Sequence, residues 1–269
     1  MKCGQNYLIV LKMLKKEDII SPDGFLDFCN RHDICYIQTG YFYTNSQYIW
    51  RGKIHSPKIN KICVIGHSDC SVVDEISSKF EKVFCVNRYT TSQNTFGLPL
   101  GITCDCDDSS IHRIYGNKDI MIEISNDEIN KINLAYINFD ISTYPIEREF
   151  VFKKFSSQSW VKLGNMEKTI DGRKKFLREI KSSKFVFCPR GNGIDTHRLW
   201  ETLYMGSIPI VKYELTHHLF TDLPILFIND WNEITEDYLN KKYDEYTNKT
   251  WNLDKLKMSY WETFIKNNL

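Results

Sequence analysis

The stretch FVFCPRGNGIDTHRLWETLYMGSIPIV, residues 185–211, begins and ends in short apolar runs that are typical of buried β-strands. After the first run, the sequence PRGNGID has the composition of a loop, and residues 196–205 have that of a helix ended by Gly206. Ligands of open α/β sheets bind at the carboxyl ends of the strands. The loop at 189–195 is therefore predicted to contact a ligand.

The residue types around this loop favour an anionic ligand. Two glycines let the backbone approach a ligand closely, Asp195 or Thr196 can cap the helix, and the free N–H groups of its first turn attract phosphate. Arg190 and Arg198 add positive charge. The pattern predicts a phosphate site at the start of the helix.

One helical turn further on, a carboxylate shares a face with the phosphate-binding end. His197 and Glu201 are four residues apart, and Glu201 is placed to accept hydrogen bonds from ribose hydroxyls. Together these features predict a sugar-nucleotide pocket. The alternative is an ordinary strand-to-helix turn in which His197 and Glu201 form an exposed ion pair.

The rest of the chain alternates between strand and helix patterns in two sets, which predicts an α/β protein with two halves. The first set implies a parallel strand pair joined by a right-handed crossover. A polar stretch at 104–117 has the composition of a linker or loop. The predicted strands are 35–43, 61–66, 82–87, 132–139, 184–189 and 207–212, and the predicted helices are 71–80, 171–183 and 196–205.

Composition excludes several classes of function. The chain has 269 residues, and 35 Lys and Arg against 34 Asp and Glu give a net charge of +1, so nothing favours nucleic acid or an anionic membrane. The short apolar run at 7–11 cannot form a signal-peptide core or span a bilayer. Nine scattered cysteines indicate a reducing compartment, so we expect a cytoplasmic protein, or a luminal domain lacking its anchor.

Three segments carry a resemblance to a known family. The stretch SKFVFCPRGNGIDTHRLWETLYMGSIPIV at 183–211 resembles the signature of exostosin-like glycosyltransferases, most closely their virus-encoded and ribitol xylosyltransferase-like branch. LAYINFDISTYPIER at 134–148 is similar to the segment before that signature, and GHSD at 66–69 to an amino-terminal loop of the family. Cytoplasm here would include that of a host cell if the protein is viral.

The resemblance implies a GT-B fold, in which two Rossmann-like domains face a central cleft. An acceptor-binding domain is expected at 1–118 and a nucleotide-sugar-binding domain at 119–250, with a helix at 251–269 that packs back on the first domain. The implied partners are a UDP-sugar donor and a glycan acceptor, with xylose as a candidate sugar and no metal or other cofactor. The implied donor-binding residues are Arg148, Arg190, Gly191, Asn192, Gly193, Asp195, Thr196, His197, Arg198 and Glu201.

An inverting transferase needs a base that accepts the proton of the acceptor hydroxyl. Asp69 follows a predicted strand in the loop HSD and is the expected base, with His67 as the alternative. Asp69 is also suited to cap a helix that follows it. Arg190 and Arg148 are expected to bind the diphosphate, with Arg198 as a further candidate, although Arg148 in PIER is equally suited to a surface position.

Other patterns support competing hypotheses. Asp105 and Asp107 have the D-x-D spacing of metal-dependent GT-A transferases. Cys104, Cys106 and His112 lack a fourth zinc ligand, and Ile194 stands where a phosphatase signature would need Arg. His217 and His218 fit either a uracil pocket or a surface loop, with the surface loop as the default. A glycan-binding protein without catalytic activity is the non-enzyme alternative.

Overall fold

The computed structural model describes residues 14–44, 47–54, 61–69, 78–104 and 110–269. Within these ranges the chain is a mixed α/β protein with two five-stranded sheets of mainly parallel strands, which is consistent with two Rossmann-like halves. The predicted α/β class is confirmed at this level. The first sheet lies within residues 35–97 and the second within 133–228, and the predicted boundary near residue 118 lies between them.

The first sheet has the order β2-β1-β3-β4-β5, in which the edge strand β2 is antiparallel and the other pairs are parallel. Helix α1 (Pro22–His32) packs on β3 and buries Phe25 and Phe28. Strands β2 and β5 were not predicted from the sequence. The bounds are β1 Cys35–Thr44, β2 Gln47–Ile54, β3 Ile62–Ser68, β4 Lys82–Cys85 and β5 Thr95–Gly97.

Two helices, α2 (Ser110–Tyr115) and α3 (Lys118–Asn126), connect the halves. The first of them corrects the expectation that the whole polar stretch 104–117 is a loop. Helix α3 is amphipathic and buries Ile120, Met121 and Ile124. The helix expected at 71–80 falls mostly on residues 70–77, which lie outside the described ranges.

The second sheet has the order β10-β9-β8-β6-β7, and all its strands are parallel. From β6 the chain continues to β7 on one side and then returns to β8 on the other, so the strand order reverses between β6 and β8. Ligands of open α/β sheets bind at such a reversal point. The bounds are β6 Asn133–Ile137, β7 Val161–Leu163, β8 Ser183–Phe187, β9 Ile208–Lys212 and β10 Leu226–Ile228.

Helices α4 (Pro145–Phe155), α5 (Ile170–Lys181) and α6 (His197–Tyr204) follow β6, β7 and β8 respectively. The side chain of Thr169 caps α5 by accepting a hydrogen bond from the Gly172 N–H at 3.0 Å. Arg173 lies on the buried stripe of α5 together with Phe176, Leu177 and Ile180. A charged side chain on an apolar stripe needs a partner inside the protein.

The chain ends in helices α7 (Glu236–Thr247) and α8 (Met258–Asn267), and α8 packs against the first half. Arg31 of α1 forms an ion pair with Glu262 at 2.7 Å, and the ring of Phe264 lies 6.2 Å from those of Phe84 and Phe96. One hydrophobic core therefore contains residues of both halves, including Phe84 and Trp200.

Candidate active site

A pocket of about 280 Å³ lies between the two halves, at the carboxyl ends of β6 and β8. It sits at the reversal point of the second sheet, where the sheet topology favours a ligand. Its walls come from both halves of the chain. The lining residues are Asp69, Leu100, Thr103, Ile111, His112, Tyr115, Thr143, Arg148, Phe176, Gly191, Asn192, Gly193, Asp195, Thr196, His197, Arg198 and Glu201.

The loop between β8 and α6 depends on its two glycines. The Gly191 N–H donates to the Gly193 carbonyl at 3.0 Å, which closes a tight turn. A Cβ at Gly191 would lie 2.9 Å from a guanidinium nitrogen of Arg148, and one at Gly193 would lie 2.6 Å from the Asn87 amide nitrogen. Larger residues at either position would displace these neighbours, so the loop needs glycine for close packing.

Arg148 lies in the first turns of α4 and is buried, so the alternative of a surface position is wrong. Its guanidinium donates to the Arg190 carbonyl at 2.8 Å and to the Asp140 carbonyl at 2.7 Å, and also contacts Thr143. Burial, and next the charge of Arg198, lower the pKa of Arg148 to about 10. Arg148 thus anchors the glycine loop and brings a positive charge to the pocket.

Arg198 brings a second positive charge into the same pocket. Its guanidinium lies over the ring of Phe176 at 5.5 Å, and its buried Nε has no hydrogen-bond partner among the described residues. Within the same part of the chain, no carboxylate forms an ion pair with it. A buried donor without a partner is costly, and an anionic ligand would satisfy it.

Arg190 lies outside the pocket lining. Its guanidinium stacks on the ring of Tyr144 at 4.4 Å and donates to the Asn192 carbonyl at 3.2 Å. The side chain therefore braces the outside of the glycine loop. Arg198, which the sequence ranked behind Arg190, lines the pocket instead.

Glu201 lines the pocket and forms a buried ion pair instead of the exposed pair considered with His197. Arg173 Nη1 lies 2.7 Å from Glu201 Oε1, and the two side chains are 0% and 6% exposed. Arg173 also donates to the Tyr115 carbonyl at 2.9 Å and lies between the rings of Tyr115 and Phe176. It thereby fixes three residues of the pocket wall.

The next two residues of the predicted site, Asp195 and Thr196, lie at the start of α6. The Asp195 carboxylate is buried and accepts hydrogen bonds at 2.9 Å from the Leu100 N–H and from the Trp200 indole. Thr196 is the N-cap of α6, but its side chain makes no capping bond. The Asp195 carboxylate accepts a hydrogen bond from the backbone N–H of Thr196. The prediction of a side-chain cap is wrong for Thr196, and the Asp195 carboxylate also bonds to the first half of the chain and to the α6 indole.

His197 and Asp69 face each other across the pocket, from α6 and from the end of β3. The His197 Nδ1–H donates to the Gly101 carbonyl at 2.8 Å, and burial lowers the pKa of its ring. Partial burial raises the pKa of the Asp69 carboxyl, while the charge of His197 and a hydrogen bond from Asn192 oppose that rise. Asp69 thus contacts the glycine loop of the other half.

His67, the alternative base, lies on β3 but does not line the pocket. Its Nδ1 is 2.9 Å from the Gln38 amide nitrogen, which is a donor, so Nδ1 accepts and a neutral ring carries its proton on Nε2. The unprotonated nitrogen, Nδ1, is therefore already engaged with the Gln38 amide. Of the two candidate bases, Asp69 lines the pocket and His67 does not.

Among the described residues, no group of three or more His, Cys, Asp or Glu side chains could hold a metal ion. Asp105, Cys106 and Asp107 lie outside these residues. Burial raises the pKa of Cys188 to about 12, which suits a structural thiol and not a nucleophile. His217 is buried and His218 is exposed, so the surface-loop default is wrong for His217 alone.

Several pocket residues were not predicted from the sequence. Thr103, His112 and Tyr115 lie in or beside the polar stretch that read as a linker, and Phe176 resembles an ordinary core residue of α5. Arg173 left one visible signal, because it interrupts the apolar stripe of an amphipathic helix.

Comparison with known proteins gave a family match for the carboxyl-terminal part of the chain, residues 149–269. No curated protein matches the sequence. In the described part of the chain, no helix is long and apolar enough to cross a membrane. The matched segment includes Arg173, the glycine loop and Glu201, but neither Asp69 nor Arg148. Residues 149–269 match the family described as the RXYLT1 C-terminal domain, and this match supports a glycosyltransferase-like family of the exostosin type.

Proposed function

We propose that this chain is an inverting glycosyltransferase with a GT-B arrangement, which moves a sugar from a UDP-sugar to a hydroxyl of a glycan without a metal ion. Xylose is the candidate sugar, because the matched family is named for a xylosyltransferase. The first half would bind the acceptor and the second half the donor.

The observation that carries the proposal is the pair of arginines beside the glycine loop. Arg148 and Arg198 are both in the pocket, and each lacks an ion-pair partner within the described residues. Two neighbouring cations without ion-pair partners among the described residues, beside the start of α6, where Thr196 makes no capping bond, favour a ligand with more than one negative charge. A nucleoside diphosphate has that charge.

Glu201 gives the pocket a second kind of ligand contact. Arg173 occupies its Oε1 atom, so Oε2 is the atom proposed to accept hydrogen bonds from the ribose hydroxyls. The rings of Tyr115 and Phe176 supply apolar surface beside it. The diphosphate would then extend from the ribose toward Arg198 and the glycine loop.

In the proposed reaction, the acceptor oxygen attacks the anomeric carbon of the donor sugar while the bond from that carbon to the diphosphate oxygen breaks. Asp69 accepts the hydroxyl proton, and UDP leaves with the bonding electrons. Arg198, Arg148 and the first N–H groups of α6 stabilise the charge that develops on the leaving group. Attack from the face opposite the leaving group inverts the anomeric configuration.

Calorimetric titration with UDP and assays of UDP release from UDP-xylose, with a panel of polyol and glycan acceptors, test this proposal. We expect UDP to bind, acceptor-dependent UDP release to persist in excess EDTA, and NMR to show inverted product. Loss of activity in EDTA would instead support the metal-dependent alternative with Asp105 and Asp107. UDP binding without any transfer would support a glycan- or nucleotide-binding protein, and absence of UDP binding at millimolar concentration would contradict the proposed donor.

A further inference from the structure

Asn87 lies two residues after the end of β4. It does not line the pocket, but it connects the two sides of it. Its side-chain amide donates to the carbonyl of Ser68, the residue directly before Asp69. Its side-chain oxygen accepts the backbone N–H of Asp195 at 2.7 Å. One buried side chain thus joins the loop that carries the proposed base to the glycine loop of the other half.

The backbone and surroundings of Asn87 fit this role. Its φ of 54° is in the left-handed region, which Asn tolerates better than most residues. The residue is 1% exposed, and Gly193 leaves the space that its amide occupies. Both polar atoms of the side chain are therefore committed to fixed backbone partners.

The Asp69 carboxylate also accepts a hydrogen bond from the Asn192 side chain, which links the same two loops through the base itself. The neighbouring hydrogen bonds to backbone between the halves do not duplicate the Asn87 connection. The Leu100 N–H donates to Asp195 at 2.9 Å, and His197 donates to the Gly101 carbonyl at 2.8 Å. Both bonds hold α6 and its preceding loop against the segment after β5, and neither contacts the end of β3. Asn87 is the side chain, among those described, that bonds to backbone on both sides of the pocket.

We propose that Asn87 is a positioning residue, which sets the distance between the Asp69 carboxylate and the donor held by the glycine loop. This inference rests on the proposed function, because it assigns the base to Asp69 and the donor to the second half. A base displaced by about 1 Å from the acceptor proton typically costs roughly 100-fold in rate. The role therefore predicts a loss of turnover that exceeds any loss of donor binding.

Two substitutions separate the two hydrogen bonds. Asn87→Asp keeps an oxygen for the Asp195 N–H but removes the donor to the Ser68 carbonyl, so the base loop is released while the glycine loop is held. Asn87→Gly removes both bonds and tolerates the left-handed backbone. We expect Asn87→Asp to lower kcat by roughly 10- to 100-fold with UDP affinity within about threefold of wild type, and Asn87→Gly to lower both quantities.

Thr216→Val is the matched control. Thr216 is buried, and its hydroxyl accepts the Arg88 N–H at 3.1 Å, so this variant removes a different hydrogen bond between the halves, one residue from Asn87. It touches neither Ser68 nor Asp195, and we expect kcat within about threefold of wild type at a similar loss of melting temperature.

The assays are UDP titration, steady-state UDP release from UDP-xylose with the best acceptor, and thermal melting. Equal kcat in wild type and Asn87→Asp would overturn the positioning role, and so would equal losses of kcat in Asn87→Asp and Thr216→Val at matched melting temperature. A wild-type protein that neither binds UDP nor releases it from UDP-xylose would instead overturn the proposed function itself. The two failures are therefore distinguishable.

Discussion

Arg173 and Glu201 form an ion pair at 2.7 Å that is almost completely removed from solvent, and Glu201 also lines the pocket. The pair joins α5 to α6, and Arg173 also donates to the carbonyl of Tyr115 in α2. Three helices of the pocket wall thus meet at one buried guanidinium. Breaking the pair from the Arg173 side would leave a buried carboxylate without its partner.

The first prediction concerns the stability of this pair. Arg173→Met should lower the free energy of unfolding by about 3–5 kcal/mol, because it leaves Glu201 buried and unpaired. The adjacent Lys174→Met is the control, since Lys174 pairs with Glu123 at 2.8 Å on the surface, where a pair contributes about 0–1 kcal/mol. Urea denaturation measures both. Equal effects of the two variants would contradict the structural importance of the buried pair.

The second prediction tests the ribose contact. Glu201→Gln keeps an oxygen that Arg173 can bond, but a neutral amide accepts hydrogen bonds from ribose hydroxyls less strongly than a carboxylate does. We expect UDP affinity to fall roughly 10-fold and inorganic diphosphate affinity to change little. Calorimetric titration with both ligands provides the measurement. Equal losses for UDP and diphosphate would remove Glu201 from the ribose site.

The third prediction compares two arginines that flank the glycine loop. Arg198→Ala should weaken UDP binding by roughly 10- to 100-fold, because a charged hydrogen bond contributes about 1.5–3 kcal/mol. Arg190→Ala should weaken it less, because the Arg190 side chain stacks on Tyr144 outside the pocket lining. A larger loss in Arg190→Ala would show that this side chain turns inward when the ligand binds.

The two arginines also show which parts of the site the sequence could predict. The glycine loop, the strand before it and the helix after it were predictable, because turn residues and apolar runs have local signatures. The direction of each arginine side chain was not predictable from the sequence. Arg190 lies in the glycine loop and Arg198 at the start of the next helix, and packing against Tyr144 and Phe176 decides which of them faces the cavity. The sequence of the loop contains no information about these rings, because they belong to other helices or loops of the chain.

The other unpredicted parts of the site also depend on contacts between residues that are far apart in the sequence. Tyr115 ends a helix that was read as a polar linker, and Asn87 follows a short strand with nothing in its neighbourhood to indicate a hydrogen bond to residue 195. Such contacts depend on how the two halves pack. Arg173 alone left a readable signal, as a charge on an apolar stripe, and a buried partner could have been sought from it.

The fourth prediction concerns stability in acid. Burial lowers the pKa of His217 to about 3, below the value of about 6.5 expected in the unfolded chain. The unfolded state therefore binds the proton first, and stability is lost as pH falls below about 6.5, by about 2 kcal/mol at pH 5. In His217→Leu this part of the pH dependence should disappear.

Melting curves between pH 5 and pH 7.5 measure this effect. The quantity to compare between wild type and His217→Leu is the change of stability with pH, and not the absolute stability. Absolute stability also reflects the loss of the hydrogen bond from the Glu214 N–H to the His217 ring at 3.1 Å. His218→Gln, at the exposed neighbouring position, is the matched control variant. An unchanged pH dependence in His217→Leu would show that another group dominates acid unfolding.

The last prediction concerns Asp69 as the proposed base. Asp69→Asn keeps the shape of the side chain but cannot accept a proton, and loss of a positioned base typically lowers the rate by roughly 100- to 10,000-fold. The donor pocket lies mainly in the other half, so UDP affinity and melting temperature should stay close to wild type. Asp254→Asn, which removes a surface carboxylate of the ion pair with Lys257, is the matched control.

The pH profile distinguishes the base from a helix cap, since Asn caps a helix about as well as Asp. Burial raises the pKa of Asp69, and the base must be ionised, so kcat/KM should fall as pH decreases through a value above the ordinary range of about 3.9. That acidic limb should vanish in Asp69→Asn, whose residual activity should be independent of pH in this range. Wild-type turnover in Asp69→Asn would show that another group accepts the proton, and early melting with activity lost only in proportion to folded protein would show that Asp69 acts as a helix cap alone.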